Sequence, residues 1–534
     1  MAMKLDYIQQ EAVERAAHYR PLMEQVGRTL WQRPEVGPNE YHSAAFLIGL
    51  LEERGFAVRR GVCGFPTGFI GEFTQPCPDG GRAPVLSLLC EYDALPAMST
   101  VHTGDSGHGC GHNLFAASAI TTAALLQELA VKHRLPCTIR VYGTPAEEIY
   151  ASKGYYAKNG LFDDVDLSVG FHAHDQTRVQ YNTSAGTNFL RYTFHGTPAH
   201  AGNTPWLGRS ALDAVEIMNV AVNFLREHVR PDTRMHYIIK HGGSAPNIVP
   251  ELAVSDYYLR AADMPYLEEV TQRVNTIAQA AAMAAGCTVD IQLRDQLYDL
   301  VLVREYCQLA QEALEAVGAP PYSQEELEAA RAYGGGQGLD TRLHPLPDAE
   351  GYEGGSTDEG DVSWVVPHTT IWAANVARGT GGHTLPWTAQ MDAPWAYTAA
   401  QTQVQATAVL LLGLIRQPQA LSRLKEAHAQ KMADRRYPKS GQLPPLFIFD
   451  DLPGVRFDGP QRLAAQPEEL VLLRRDRPWE LSVEDDRGTT LGFAAQGDDI
   501  RLDHPALPGQ VVKLYARYPG GDKELLGYCR YPEE

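Results

Sequence analysis

Leu86-Ser-Leu-Leu-Cys90-Glu91-Tyr92-Asp93-Ala94-Leu95-Pro96 and, after a short loop, Gly107-His108-Gly109-Cys110-Gly111-His112-Asn113 decide how this chain folds. The first half is an apolar run ending in acids, the pattern of a buried strand that reaches the rim of a parallel sheet. The second half is a glycine-rich turn feeding a helix of small and apolar residues, expected from about Leu114 to Val131. A carboxylate, a thiol and two imidazoles fall between strand end and helix start. Open α/β sheets place their ligands at such carboxyl ends. Cys110 and His112 stand two residues apart on glycine-flanked backbone, so both side chains can turn to one point. A thiol near a helix N-terminus ionises more easily, and the thiolate is the form that binds metal. Taken alone, the pair reads equally well as a small buried thiol and a helix-capping imidazole.

Working outward, helical periodicity runs from about Leu5 to Trp31 and from Asn39 to Arg54, followed by a strand from Thr67 to Phe73. Beyond the central stretch, a strand from Thr138 to Tyr142 leads to a loop with Glu147-Glu148, and another strand ends at Phe171-His172. Strand and helix alternation of this kind implies parallel pairing. Near Gly186 the pattern changes. Strands at Phe189 to His195, Met235 to His241, Leu252 to Ala261 and Thr288 to Leu293 alternate with helices at about Gly208 to His228 and Tyr266 to Ala285. That β-α-β-β-α-β order is ferredoxin-like. It reads as an insertion, because the earlier pattern resumes from about Arg304 to Gln417.

A charged helix near Leu421 to Arg435 and a Pro/Gly linker from Tyr437 to Pro445 precede a last change of texture. Short strands with turn signals between them, the first at Leu446 to Phe449 and the last at Leu525 to Tyr531, with a hairpin tip at Tyr518 to Asp522, point to a β-sandwich or barrel. The expected fold is therefore α/β. A mixed, mostly parallel sheet flanked by helices spans residues 1–185 and 298–436, an α+β insertion spans 186–297, and an all-β module spans 446–534.

Composition narrows the function. Of 534 residues, 44% are hydrophobic and 21% charged, as in a globular protein. The balance of 46 basic against 65 acidic residues gives −19, which argues against nucleic acid and anionic membranes as partners. No apolar run approaches the roughly 20 residues of a membrane helix. The opening Met1-Ala-Met-Lys-Leu-Asp-Tyr7 starts an amphipathic helix and lacks a signal-peptide core. Eight cysteines, scattered without paired spacing, imply a reducing compartment, and a cytoplasmic location is expected.

The remaining candidate residues also lie at strand exits. Adjacent acids are common, and Glu52-Glu53, Glu268-Glu269 and Glu325-Glu326 sit in helical, charge-rich surroundings where a solvated face explains them. Glu147-Glu148 instead follows Gly-Thr-Pro-Ala at a strand exit. His172 ends the next strand, and His383 lies in a glycine-rich loop after a later one. Each histidine alone is more often structural, but five candidate ligands on successive strand exits are hard to dismiss. Cys110, His112, Glu148, His172 and His383 mix sulfur, nitrogen and oxygen donors, which suits zinc, manganese or cobalt rather than calcium or magnesium. Five ligands exceed what one catalytic zinc uses, so two divalent metal ions, zinc or manganese, are expected. Glu147 beside a ligand can act as general base.

With these residues in view, the chain resembles the aminoacylase and carboxypeptidase superfamily of metal-dependent amide hydrolases, in its amidohydrolase branch. The matching pieces are Trp31-Gln-Arg-Pro-Glu35, Tyr92-Asp-Ala-Leu-Pro96, Gly109-Cys-Gly-His112, Pro145-Ala-Glu-Glu148, Gly170-Phe-His172, Gly196-Thr-Pro-Ala-His200, Ala245-Pro-Asn247, Arg260 and Gly355-Ser-Thr-Asp358. Asn113, where most of the branch has aspartate, and the stretches from Gly355 to Trp364 and from Gly382 to Trp387 look most like the aminobenzoyl-glutamate hydrolase group. The resemblance covers roughly Leu5 to Arg435.

It implies that Cys110, His112, Glu148, His172 and His383 hold the metals, that Glu147 is the base and that Asp93 orients the site. It further implies that the inserted domain is a lid and dimerisation domain. His200 would then stabilise the oxyanion in a neighbouring subunit's site, while Asn247 and Arg260 hold the substrate's carboxylate. The implied activity is hydrolysis of a small-molecule N-acyl amino acid or similar carboxylate-bearing amide by a homodimer or higher oligomer. A dipeptidase uses the same chemistry with another pocket. An inactive relative kept for binding or assembly would have no need of Glu147.

Overall fold

Val85–Cys90 is buried on both faces throughout its length, as the apolar run before Glu91 requires. The computed structural model describes residues 4–438 apart from Pro66, together with short strands between 455 and 530. The strands up to the insertion are β1 (Ala57–Arg60), β2 (Phe69–Gln75), β3 (Val85–Cys90), β4 (Cys137–Gly143), β5 (Leu167–His174), β6 (Arg178–Val179) and β7 (Asn182–Thr183). Then come β8 (Gly186–His195), β9 (Arg234–His241), β10 (Leu252–Ala261), β11 (Thr288–Leu297), β12 (Gly351–Tyr352) and β13 (His368–Ala374).

The large sheet runs β1-β2-β4-β3-β5-β13-β6. Its four central strands are parallel. The edges β1-β2 and β6 pair antiparallel. The sheet is thus mixed, with helices packed on it. From β3 the chain passes through the helix His112–His133 to β4 on one side, then crosses to β5 on the other. That reversal opens a crevice at the carboxyl end of β3, where side chains from several strand ends can meet.

The helices His112–His133 and Pro394–Ile415 are long and apolar enough to cross a membrane, with mean hydropathies of 1.6 and 1.2. The expectation that no stretch reaches this length is corrected here. Both are core helices, each with 83% of its apolar window buried. They pack with Arg20–Gln32, Arg304–Val317 and the sheet in one hydrophobic cluster. Their all-round apolarity reflects burial on every side. The chain enters His112–His133 two residues earlier than expected, because Gly111 takes the left-handed conformation (φ 98°, ψ 17°) at its N-cap. Strand β1 was not expected, since Ala57-Val-Arg-Arg60 is an exposed edge with no apolar alternation.

Between Gly186 and Leu297, four antiparallel strands lie in the order β11-β8-β10-β9. The helices Ala211–Leu225 and Met264–Ala285 share a second core with them. Ile217, Val220 and Phe224, spaced to one face of the first helix, remain exposed, as do Ile238 and Ile239 on the edge strand β9.

Tyr437, expected to open the linker, is instead tied to the core. Its ring packs on Tyr298 and its hydroxyl donates to Asp361. The described strands beyond 454 pair into two four-stranded antiparallel sheets. The strand expected at Leu446 to Phe449 and the hairpin tip at Tyr518 to Asp522 lie outside the described residues.

Candidate metal centre

Cys90 ends β3, and the next three residues turn two acids toward the crevice. Asp93 Oδ1 accepts a hydrogen bond from His112 Nδ1 at 2.7 Å, and Asp93 Oδ2 accepts from the Glu148 backbone N–H at 3.0 Å. One buried carboxylate therefore aligns two of the expected ligands. It also fixes the tautomer of His112, leaving Nε2 free to bind a metal. His172 is set the same way: its Nδ1 donates to the Ala173 carbonyl at 2.7 Å, and its Nε2 lies 3.9 Å from Cys110 Sγ.

The acidic pair does not sit in a loop. Glu147 and Glu148 open a one-turn helix, Glu147–Tyr150, entered from Ala146 in the left-handed region (φ 55°, ψ 41°). The Ala146 N–H donates to Glu40 Oε1 at 2.7 Å, so a buried carboxylate from the N-terminal region holds the launch point. Glu148 Oε1 is buried, lying 3.2 Å from His383 Nε2 and 3.9 Å from His112 Nε2. Neither contact has hydrogen-bond geometry, so this oxygen is left without a partner. An orphaned carboxylate oxygen between two imidazole nitrogens fits a bridging metal ligand.

Donor atoms of Cys110, Glu148 and His383 lie within 4.8 Å of one another, as do those of His112, Glu147 and Glu148. Glu148 belongs to both groups. Desolvation pushes the Cys110 thiol up, but the charge of His112 and hydrogen bonds from His112 and His172 outweigh it and hold the thiol well below its usual range. The neighbouring Cys110 and Glu148 raise His383 to about 10. Thiol, imidazole and carboxylate donors thus crowd into one small space. The donor set therefore suits a borderline-soft divalent ion.

These residues line a cavity of about 400 Å³. Phe189, Tyr258 and Arg260 of the inserted unit line it as well. Arg260 Nη1 donates to Ser356 Oγ at 3.2 Å, in the Gly355-Ser-Thr-Asp358 stretch. Asp295 lines the cavity too, beside a β-bulge between Leu293 and Asp295, and burial raises its carboxyl to about 7.

His200 and Asn247 do not join this set. Both are exposed and lie on adjoining loops of the inserted unit, linked by the Ala201 N–H to the Asn247 carbonyl at 3.0 Å. Within one chain, then, the expected carboxylate-binding pair is divided: Arg260 faces the cavity and Asn247 does not. His108, in the same glycine-rich turn as His112, points elsewhere. Its Nε2 donates to the Leu30 carbonyl at 3.2 Å, and burial lowers it to about 3.

Sequence reasoning missed Glu91 and Lys153 as parts of the site. Glu91 Oε2 is 3.3 Å from His112 Nε2, and Glu91 Oε1 is 2.7 Å from Lys153 Nζ. The one available signal was an acid two residues before Asp93, which puts both side chains on the same face of an extended segment.

The profile of peptidase family M20/M25/M40 matches residues 88–407. The chain is 33% identical over 437 residues to one of the subunits of the p-aminobenzoyl-glutamate hydrolase of Escherichia coli (strain K12), covering 73% of this chain and 89% of that protein. It is 30% identical over 445 residues to the Xaa-Arg dipeptidase of Mus musculus, covering 81% and 95%. A dinuclear metal binding peptidase of family M20 from Bacillus subtilis superposes with a TM-score of 0.51 at 19% identity, over 74% of this chain and 99% of that one.

Proposed function

This chain belongs to peptidase family M20/M25/M40 and is a metal-dependent amide hydrolase, and we propose that its substrate is a small N-acyl amino acid, with an acyl-glutamate the first candidate. Arg260 on the cavity wall carries this reading. A guanidinium lining the same cavity as the candidate metal ligands is suited to a carboxylate held at a fixed distance from the scissile carbonyl. The Escherichia coli hydrolase to which the chain is 33% identical is named for aminobenzoyl-glutamate, an amide with such a carboxylate.

Two ions, zinc or manganese, are proposed, with Cys110, His112, Glu148, His172 and His383 as ligands and Glu148 shared. When bound, they supply Lewis acidity that polarises the scissile carbonyl and eases deprotonation of water. Glu147 takes that proton on its carboxylate and returns it to the leaving nitrogen. Asp93 keeps His112 in the tautomer that presents Nε2. Arg260 orients the substrate through its carboxylate.

For the oxyanion, we assign His200 of a second copy, with the inserted unit as lid and dimerisation surface. This assignment is supported by the exposure of His200 and by the uncovered apolar residues on Ala211–Leu225 and β9. The seven cysteines described are free thiols, in keeping with a reducing, cytoplasmic setting.

The test is a screen of metal-loaded enzyme against aminobenzoyl-glutamate, N-acetyl amino acids, their α-carboxamides and Xaa-Arg dipeptides. Acyl-glutamates are expected to lead, and each carboxamide is expected to be a poor substrate. Equal turnover of acids and carboxamides, or a preference for the arginine dipeptides, would overturn the assignment.

A further inference from the structure

Lys153 has no exposed surface, and the hydrolytic steps do not require it. Its Nζ is 2.7 Å from Glu91 Oε1 and also pairs with Asp358 Oδ1, while its backbone N–H donates to Asp358 Oδ2 at 2.9 Å. A buried ammonium is tolerated only when its charge and donors are matched, and these two carboxylates supply the match. Burial alone would lower its pKa, but Asp358 and then Glu91 hold it well above the usual lysine range.

The two carboxylates lead to different parts of the site. Glu91 reaches His112 Nε2 at 3.3 Å, the nitrogen that faces the metal cluster. Asp358 closes the stretch whose Gly355, Ser356 and Thr357 line the cavity. From that stretch Ser356 Oγ accepts from Arg260 at 3.2 Å, and the Gly354 carbonyl accepts from it at 3.5 Å. A path therefore runs from His112 through Glu91 and Lys153 to Asp358 by charged contacts, along the backbone from Asp358 to Ser356, and by a hydrogen bond to Arg260. It joins the end of β3, the segment after Glu147–Tyr150 and the wall contributed by the inserted unit.

We propose that Lys153 is a positioning residue that fixes the separation between the metal cluster and Arg260, and so sets which carboxylate-bearing amides the enzyme accepts. This rests on the reading that Arg260 receives the substrate carboxylate. An acid whose carboxylate and scissile carbonyl match the set distance engages both ends at once. Its carboxamide engages the metal end alone. With Lys153 removed, Glu91 and Asp358 repel each other, and the two ends of the cavity lose their common reference.

The experiment compares wild type with Lys153→Met, Asp358→Asn and Arg260→Met, checking the fold of each by circular dichroism. Zinc is titrated into metal-free protein by calorimetry. Then kcat and KM are measured at saturating zinc for an N-acyl amino acid that the wild type cleaves and for its α-carboxamide. Lys153→Met is expected to bind zinc more weakly, because Glu91 beside His112 Nε2 loses its fixed partner. At saturating zinc its KM for the acid should rise while that for the carboxamide holds, and acid-over-carboxamide preference in kcat/KM should fall about 5-fold or more.

A cation that merely neutralised buried acids would lower the melting temperature and leave this preference unchanged. That result in folded Lys153→Met overturns the proposal. Should Lys153→Met not fold, Asp358→Asn weakens the same link while Lys153 stays paired with Glu91, and an unchanged preference there overturns it equally. If Arg260→Met keeps the wild-type preference, the carboxylate reading falls and the proposal with it. If Arg260→Met abolishes the preference and the Lys153 and Asp358 variants keep it, the carboxylate reading stands and only the role of Lys153 falls.

Discussion

Glu147 and Glu148 share one turn of helix, yet their surroundings divide their work. Glu148 has its backbone N–H on Asp93 and an unpartnered oxygen between two imidazoles, the surroundings of a ligand. Glu147 faces other acids: desolvation, then the charges of Glu91, Asp358 and Glu148, raise its carboxyl well above the usual range, which gives it an appetite for a proton. Glu147→Gln is therefore expected to keep its metals, measured by elemental analysis, and to lose about a hundred- to ten-thousand-fold in turnover. Near-normal turnover would remove Glu147 from the role of base. Cys110→Ser should behave in the opposite way, losing metal first, because an alcohol is a far poorer anionic donor than a thiolate. Unchanged metal stoichiometry and affinity in that variant would make Cys110 a structural thiol. At this scale Cys110 and His112 were legible from the glycine-rich turn that enters a helix, and Glu148 and His172 from their places after and near the ends of strands. That His108 in the same turn meets the Leu30 carbonyl is decided by the fold and not by the turn's sequence. Lys153 was invisible, because its partners Glu91 and Asp358 are far from it in sequence and each pair looks like ordinary surface charge.

At the scale of elements, the chemistry depends on how two helices begin. Gly111 stands between Cys110 and His112 at φ 98°, and a Cβ there would sit 2.8 Å from Met391 Sδ and 3.1 Å from Ala173 Cβ. Gly111→Ala meets both a backbone penalty of about 1–2 kcal/mol and a tight contact. It is expected to lower the denaturation midpoint and to weaken zinc binding, because the turn that aims both candidate ligands must shift. A lowered midpoint with wild-type zinc affinity would mean that the metal end of the turn is insulated from its backbone. Ala146 shows the reverse device, a non-glycine residue held left-handed by Glu40 and packed against Gly37. The glycine-rich turn announced itself in the sequence. The second turn did not, because an alanine in that conformation depends on a carboxylate 106 residues earlier in the chain. Strand alternation was readable for the same reason that β3 is buried on both faces: apolar runs bounded by turns leave few other choices. The exposed edge β1 carries no such pattern, and its pairing with β2 is a tertiary fact.

At the scale of the whole molecule, His200 and Asn247 lie on exposed loops of the inserted unit, outside this chain's cavity. The apolar residues Ile217, Val220 and Phe224 and the edge strand β9 are uncovered on that same unit. If two copies join there and each lends His200 to the other, every site combines Glu147 of one chain with His200 of its partner. His200→Ala alone and Glu147→Gln alone should then each be nearly inactive, since loss of one oxyanion donor typically costs about a hundred- to a thousand-fold. In a mixed dimer, one site carries both defects and the other carries neither. Random exchange makes about half the dimers mixed, each with one intact site of two, so about a quarter of wild-type activity should return on mixing. The return should follow the rate of subunit exchange, read independently with differently labelled chains. Exchange without any return of activity would place His200 in the service of its own chain's site or outside catalysis. Activity in Glu147→Gln without exchange would count against Glu147 instead, so the two assignments fail separately.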